Sequence, residues 1–104
     1  DESDQPEQDY HKISDSEFIV QGKLSLDDFN DEFMTNFEMN DVDTIAGFMI
    51  AKLGYIPEDD SQESVEIDGI KLITEKVDDS RIMEIKIELT PALAIAHVQR
   101  EKRV

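Results

Sequence analysis

The sequence of 104 residues contains no cysteine and no tryptophan. Without cysteine the chain can form no disulfide, no thiolate nucleophile and no thiolate metal site, so its stability must come from packing. Long apolar runs are also missing. The most apolar stretch, 45–56, is interrupted by Lys52 and by glycines, and it falls short of the ~20 residues that a membrane-spanning helix needs. We therefore expect a single packed domain that does not insert into a membrane.

Basic residues are scarce, since 10 lysines and arginines accompany 26 aspartates and glutamates, and the formal net charge is -16. Phosphate backbones and anionic lipid surfaces carry charge of the same sign and would be repelled. A basic face is the electrostatic signature of nucleic-acid binding, and the sequence offers none. We therefore expect no nucleic-acid partner.

Catalytic and nucleotide-binding motifs are absent as well. The glycines at 22, 47, 54 and 69 are isolated, so they form neither a phosphate-cradling loop nor a dinucleotide fingerprint. His11 and His97 lie near opposite ends of the chain without a metal-ligand partner at helical spacing, and we interpret both as structural residues. No nucleophile, general base or metal triad can be assembled, so the chain is not expected to be an enzyme.

The first part of the chain changes from polar to apolar in character. Residues 1–8 are acidic and contain no apolar side chain, which is typical of a linker. A short β-rich run predicts the first strand at 17–21. Ser25 then precedes a helical pattern with two early carboxylates, which predicts a first helix at 26–33.

A second helix is predicted at 44–53, with Asp43 as its cap. Gly54 should end it, and Pro57 follows shortly afterwards. Its surface is apolar nearly all round, which is typical of a buried helix. Gly47 in its middle predicts the close approach of another backbone.

Two turns punctuate the second half of the chain. Asp68 and Gly69 lie between alternating apolar residues and predict a tight hairpin in which both turn positions have positive φ. A second turn at 78–80 leads to a strand at 83–89, in which apolar and charged residues alternate. Together these segments predict a three-stranded antiparallel meander.

Thr90 and Pro91 predict the cap and first residue of a final helix. Alanines together with Leu93, Ile95 and Val98 suit packing onto a partner or a second copy, and fraying of this tail is an equal alternative. The order of elements is therefore strand, helix, helix, three-stranded antiparallel meander and C-terminal tail helix. This order predicts an α+β fold.

Two groups of acidic side chains offer oxygen ligands for a hard divalent cation. The candidate ligands are Asp27 and Asp31 in one group and Glu58, Asp59 and Asp60 in the other. Because acidic residues are abundant, solvated surface is the commoner explanation for both groups. A cofactor-stacking surface is an alternative for Phe29, Phe33, Phe37 and Phe48, but their helical spacing favours core packing.

Short motifs in a fixed order give the chain a family resemblance. They are Phe18-Ile19-Val20-Gln21-Gly22, Leu26-Asp27-Asp28-Phe29-Asn30, Asp43-Thr44-Ile45-Ala46-Gly47, Leu53-Gly54-Tyr55-Ile56-Pro57, Val65-Glu66-Ile67-Asp68-Gly69 and Arg81-Ile82. This set resembles the transporter-associated domain at the carboxyl end of CorC/HlyC proteins, the magnesium and cobalt efflux and hemolysin-like family. The structural motif residues are then Asp43, Gly47, Gly54, Pro57, Asp68 and Gly69.

The resemblance implies a division of the chain into three parts. Residues 1–16 would be an acidic linker from a preceding pair of CBS domains, 17–89 the transporter-associated domain, and 90–104 a C-terminal tail helix. The sequence departs from the usual family pattern at 58–64, where the loop is longer and more charged. It departs again at Leu72, where an aromatic residue is common.

The resemblance also implies a function. Such a domain lies on the cytoplasmic side of the cell membrane, next to the membrane and CBS regions of the parent protein, and is expected to modulate ion transport through protein contacts as a homodimer. The implied fold resembles part of the FAD-binding domain of p-cresol methylhydroxylase-type flavoproteins. One alternative is therefore binding of FAD or an adenine nucleotide beside Gly47 and the meander, with Gly47 and Gly69 as candidate contacts. A second alternative is a weak sensor of Mg²⁺ or Co²⁺ that uses the acidic groups.

Overall fold

The computed structural model describes residues 10–102, which form one antiparallel sheet with helices packed on one face. The strands are β1 (Tyr10–Ser14), β2 (Glu17–Gln21), β3 (Ser64–Ile67), β4 (Ile70–Asp78) and β5 (Arg81–Leu89), and the helices are α1 (Leu26–Phe33), α2 (Ile45–Leu53) and α3 (Pro91–Lys102). The strands lie side by side in the order β1-β2-β5-β4-β3. The predicted α+β class and the antiparallel meander of β3, β4 and β5 are confirmed.

The predicted linker over 1–16 is too long, because β1 belongs to the sheet. This strand pairs antiparallel with β2, with Tyr10 opposite Val20. All its side chains other than Tyr10 are exposed, so pairing depends on the backbone and leaves little hydrophobic pattern in the sequence. The rest of the predicted linker, 1–9, lies outside the described residues.

Both hairpin turns of the meander are confirmed. Asp68 and Gly69 have φ values of 53° and 86°, as a tight two-residue turn requires. Asp79 and Ser80 form the second turn with φ values of 55° and 61°. β4 lies between β3 and β5 and changes register within 74–77, which accounts for its irregular apolar pattern.

The start of α2 differs from the prediction. The helix begins at Ile45, and its cap is Thr44, whose Oγ1 accepts a hydrogen bond from the amide of Gly47 at 3.1 Å. The predicted cap, Asp43, is wrong because this residue lies one position earlier. Its carbonyl oxygen accepts from the amide of Leu26 at 2.9 Å, which fixes the approach of the chain to α2.

The other predicted helix ends are confirmed. Ser25 caps α1 by accepting a hydrogen bond from an amide of its first turn at 3.0 Å. Gly54 ends α2 with φ 86°, and Pro57 is buried just after it. Thr90 Oγ1 accepts from the amide of Leu93 at 3.3 Å at the start of α3.

Core packing of the phenylalanines is confirmed. The rings of Phe29, Phe33, Phe37 and Phe48 are all buried. Phe37 stacks on Phe48 with centroids 4.9 Å apart and planes 6° apart. These rings lie between the helices and the sheet, so they are not available to stack on a cofactor at the surface.

The tail helix α3 packs onto its own domain, whereas the sequence predicts contact with a partner or fraying. His97 is only 1% exposed and packs between the rings of Phe18 and Phe33, with centroid distances of 4.9 and 5.5 Å. Its Nε2 lies 2.9 Å from Oε2 of Glu32 on α1. Ile95, predicted to contact a partner, is 59% exposed on the outer side of the helix.

The second face of the sheet, which we call the open face, carries alternating side chains that point away from the helices. These side chains are Glu17, Ile19, Lys71, Ile73, Glu84, Lys86 and Glu88. Lys86 Nζ lies 3.8 Å from a carboxylate oxygen of Glu17 and 3.6 Å from one of Glu88. The helices α1, α2 and α3 all pack on the other face, so no helix covers the open face. Its lysines and glutamates make it a surface of mixed charge.

Candidate functional site

A groove of about 450 Å³ lies where the end of β2 meets α2 and the β4–β5 turn. Its walls come from 21–23 after β2, from Ala46, Gly47 and Ile50 of α2, and from 80–83 of the hairpin. Ligand pockets typically enclose about 300–1,000 Å³, so the groove is large enough for a small ligand or a short peptide.

The groove owes its shape to Gly22. The amide of Gly22 donates to the carbonyl oxygen of Met83 at 2.9 Å, and its own carbonyl accepts from the amide of Ala46 at 3.1 Å. A Cβ at Gly22 would lie 2.1 Å from the carbonyl oxygen of Ile82, far inside van der Waals contact. The close backbone approach occurs here, and the prediction that placed it at Gly47 is wrong.

The two glycines proposed as cofactor contacts lie in different places. Gly47 lines the groove, and a Cβ there would meet only the side chains of Thr44 and Val42, at 3.3 and 3.5 Å. The expected pocket beside Gly47 and the meander is therefore present. Gly69 lies at the β3–β4 turn, where a Cβ would face Leu93 at 3.3 Å, and it does not line the groove.

The charged side chains that line the groove are basic, although the chain is strongly acidic. Among the described residues that line it, the charged ones are Lys23 and Arg81, and both are exposed. Neither forms an ion pair with another residue of the part 10–102. Asp78 is the register partner of Arg81 across the hairpin, yet the two side chains make no ion pair. Both cations are available to an anionic group in the groove.

The structure does not gather the candidate metal ligands into a site. Asp27 and Asp31 lie on the exposed side of α1. In the described portion of the chain, no group of three or more histidines and carboxylates is placed to hold a metal ion. Asp59 braces the β4–β5 turn, because its carboxylate oxygens accept from the amides of Asp79 and Ser80, both at 3.2 Å.

The rest of the acidic loop is folded against the sheet. The carbonyl of Glu58 accepts from the hydroxyl of Ser61 at 2.7 Å, and Asp60 adopts a positive φ of 63°. Thr74 is buried, and its Oγ1 accepts from the amide of Glu63 at 2.9 Å and donates to the carbonyl of Ser61 at 3.2 Å. The loop is therefore an ordered part of the domain.

An exposed tyrosine is hydrogen-bonded to the same loop. The Tyr55 hydroxyl donates to Oε1 of Glu63 at 2.8 Å. This hydrogen bond, with smaller contributions from desolvation and from the charge of Glu63, raises the pKa of Tyr55 above its ordinary value of 10.0. Because the phenol stays protonated at neutral pH, it acts as a donor and not as a base.

Sequence reasoning assigned no role to Lys23, Arg81 or Asn30, although Asn30 and Arg81 belong to the family motifs. The Asn30 side chain donates to the carbonyl of Phe37 at 2.8 Å and accepts from its amide at 2.9 Å, which secures the chain after α1. A polar residue in the middle of an amphipathic helix was a local signal for Asn30. Lys23 and Arg81 are single basic residues beside turns. The sequence gives little indication that they line one groove, because only the fold brings them together.

Residues 11–91 match the family model of the transporter associated domain CorC_HlyC. The chain belongs to this family. The magnesium and cobalt efflux protein CorC of Salmonella typhimurium is 30% identical over 81 residues, which are 78% of this chain and 27% of that protein. This transporter-associated domain thus spans about a quarter of the length of that relative. The family is defined by its association with transporters and not by a catalytic activity.

Solved structures of related domains share the fold. The hemolysin domain from Enterococcus faecalis V583 has a TM-score of 0.76 and 36% identity, over 79% of this chain and 98% of that one. The CorC_HlyC domain of a Xylella fastidiosa hemolysin in complex with Mg++ and Mn++ has a TM-score of 0.67 over 80% of this chain and 99% of that one. At 20% identity it shows the fold alone. Within 10–102 no helix has the length and apolar character needed to cross a bilayer.

Proposed function

We propose that this transporter-associated domain is a non-catalytic regulatory module of a larger membrane protein, a magnesium and cobalt transporter or a hemolysin-like protein. It lies on the cytoplasmic side of the membrane and modulates ion transport through contacts with the membrane and CBS regions of its parent protein, as a homodimer. The family membership and the similarity to a magnesium and cobalt efflux protein support this proposal.

The observation that carries the proposal is the open face. Charged side chains of both signs flank the half-buried Ile73 and the buried Ile19, so the surface is mainly charged with a small apolar part at Ile73. Such an arrangement selects and orients a complementary protein surface. Because many of its contacts are charged, it suits a contact that forms and releases during regulation.

The test uses the whole transporter that contains this domain. The double variant Lys71→Glu, Lys86→Glu reverses the charge of both lysines on the open face. We expect it to change cobalt tolerance and magnesium efflux while the amount of protein stays the same. Lys52→Glu, a charge reversal at an exposed position of α2, is the control and should leave transport unchanged. Unchanged transport after deletion of the entire domain would contradict the proposed regulatory role. Sedimentation of the isolated domain tests the homodimer.

The groove favours a second candidate, binding of FAD or an adenine nucleotide. Its volume, the proximity of Gly47 and the two free cations suit a planar ring with phosphates. Thermal unfolding with FAD or AMP tests this candidate. A native-state ligand at 100 times its Kd adds about 2.7 kcal/mol, which raises the Tm by about 10 °C in a domain of this size. A saturable rise that Arg81→Glu abolishes would establish nucleotide binding, and no rise would remove this candidate.

The same unfolding assay with Mg²⁺ and Co²⁺ tests the weak cation sensor. The candidate ligands remain Asp27 with Asp31 and the group Glu58, Asp59 and Asp60. A saturable rise in Tm that is lost on replacing one group with amides would locate the ion. An identical response of both amide variants and the parent domain would instead indicate general screening of the acidic surface.

A further inference from the structure

The groove at the end of β2 carries two exposed cations on a protein whose net charge is -16. Lys23 and Arg81 both line it, together with the apolar residues Ala46, Ile50 and Met83. Met83 is 40% exposed there. An anionic chain segment that lay along this groove would pair with both cations and cover part of the apolar surface.

The pairing of β1 decides which segment enters the domain at this place. β1 is antiparallel to β2, and Tyr10 lies opposite Val20. The chain that precedes Tyr10 therefore joins the sheet at the end of β2, beside 21–23, which form one wall of the groove. The other residues outside the described part, 103–104, follow α3 in the sequence.

The chemistry of this segment complements the groove. Residues 1–9 contain five acidic side chains and no basic one, namely Asp1, Glu2, Asp4, Glu7 and Asp9. An extended chain of nine residues spans up to about 30 Å, which exceeds the width needed to cross a groove that begins beside its point of attachment. Pro6 favours the extended backbone that a groove-bound peptide needs.

We propose that the groove is the docking site for the chain's own acidic segment, 1–9, with its carboxylates on Lys23 and Arg81. The docked segment would fix the direction in which the upstream chain leaves the domain. It would also occupy the groove that a nucleotide would need. This inference does not depend on the regulatory function proposed above, since it concerns contacts within one chain.

The absence of cysteine makes a cross-linking test direct. Asp4→Cys combined with Met83→Cys places one thiol in the segment and one in the groove of the full chain. The matched control combines Asp4→Cys with Glu84→Cys, which lies next to Met83 on β5 but on the open face, at a similar distance from the point where the segment joins the sheet. We expect intramolecular disulfide formation to be about 10-fold faster for the groove pair, because docking raises the effective concentration of the thiols.

The charge dependence completes the test. Adding Lys23→Glu and Arg81→Glu should make the rates of disulfide formation in the groove pair and the control pair equal. About 1 M salt, where the Debye length is about 3 Å, should have the same effect. Salt also gives the answer if the charge reversals disturb folding, which circular dichroism reports. Equal rates for the groove and control pairs, or a preference that survives both salt and charge reversal, would overturn the proposal. Cross-links between two chains at Met83 would do so as well, and would make a second copy the occupant.

Discussion

Alanine at Gly22 tests how tightly β5 and α2 are held together. The new Cβ would lie 2.1 Å from the Ile82 carbonyl oxygen and 3.1 Å from the Cβ of Ala46, so one of the two elements must move. Overpacking of this kind costs about 1–3 kcal/mol, and weakening the hydrogen bonds to Met83 and Ala46 adds about 1 kcal/mol each. We expect a loss of about 3 kcal/mol in the free energy of unfolding. In a domain of this size, that loss lowers the Tm by roughly 15 °C.

Gly47→Ala is the matched control for this prediction. It removes a glycine from the interior of α2, which costs about 1 kcal/mol relative to alanine, and its Cβ would meet only side chains, with Thr44 Oγ1 nearest at 3.3 Å. The two effects oppose each other, so the free energy of unfolding should change by less than about 1 kcal/mol. Urea unfolding of both variants gives the comparison. The reasoning is refuted if Gly22→Ala is as stable as the parent chain or if Gly47→Ala is the more damaging change.

Three further predictions concern contacts away from the groove. His97→Ala should lower the free energy of unfolding by about 2–4 kcal/mol and remove amide exchange protection from α3, whereas Ile95→Ala on the same helix should change it by less than about 0.5 kcal/mol. Thr74→Val should cost about 1–3 kcal/mol in urea unfolding, because it leaves the amide of Glu63 without its hydroxyl acceptor. NMR titration should place the pKa of Tyr55 above 10.0, and Glu63→Gln should lower it. Since this pKa is raised in the folded state, the associated stability is present below pH 10 and is lost as the pH rises through the folded-state value. A Tyr55 titration unaffected by Glu63→Gln would contradict the assigned cause.

Local sequence chemistry was enough to predict much of the fold. The Asp68-Gly69 turn, the cap at Ser25 and the glycine end of α2 depend on residues within a few positions of one another. Such features follow from backbone geometry that only some residues adopt, so they are readable without knowledge of the rest of the chain. The choice between Asp43 and Thr44 as cap was harder, because both residues are good caps and a bridge to Leu26 decides between them.

The missed features all depend on contacts between distant parts of the chain. β1 has no hydrophobic pattern of its own, and α3 is docked through a histidine, a residue type that periodicity analysis does not count as apolar. A pocket beside Gly47 was expected, but the close approach of Gly22 to Ala46 and Ile82 and the meeting of Lys23 with Arg81 in the groove lining were not. The candidate metal ligands were selected by spacing in the sequence, and the fold then used Asp59 to brace a turn.

The attachment of β1 to the sheet has a mechanical consequence. The strand starts beside the end of β2, whereas α3 follows the end of β5, near Ser16 at the other end of the sheet. Tension applied between the start of β1 and the start of α3 therefore acts along the strands. It loads the hydrogen bonds between β1 and β2 in shear, so that they must yield together. A pull from the upstream chain is thus transmitted to the whole sheet before the first strand can be peeled away.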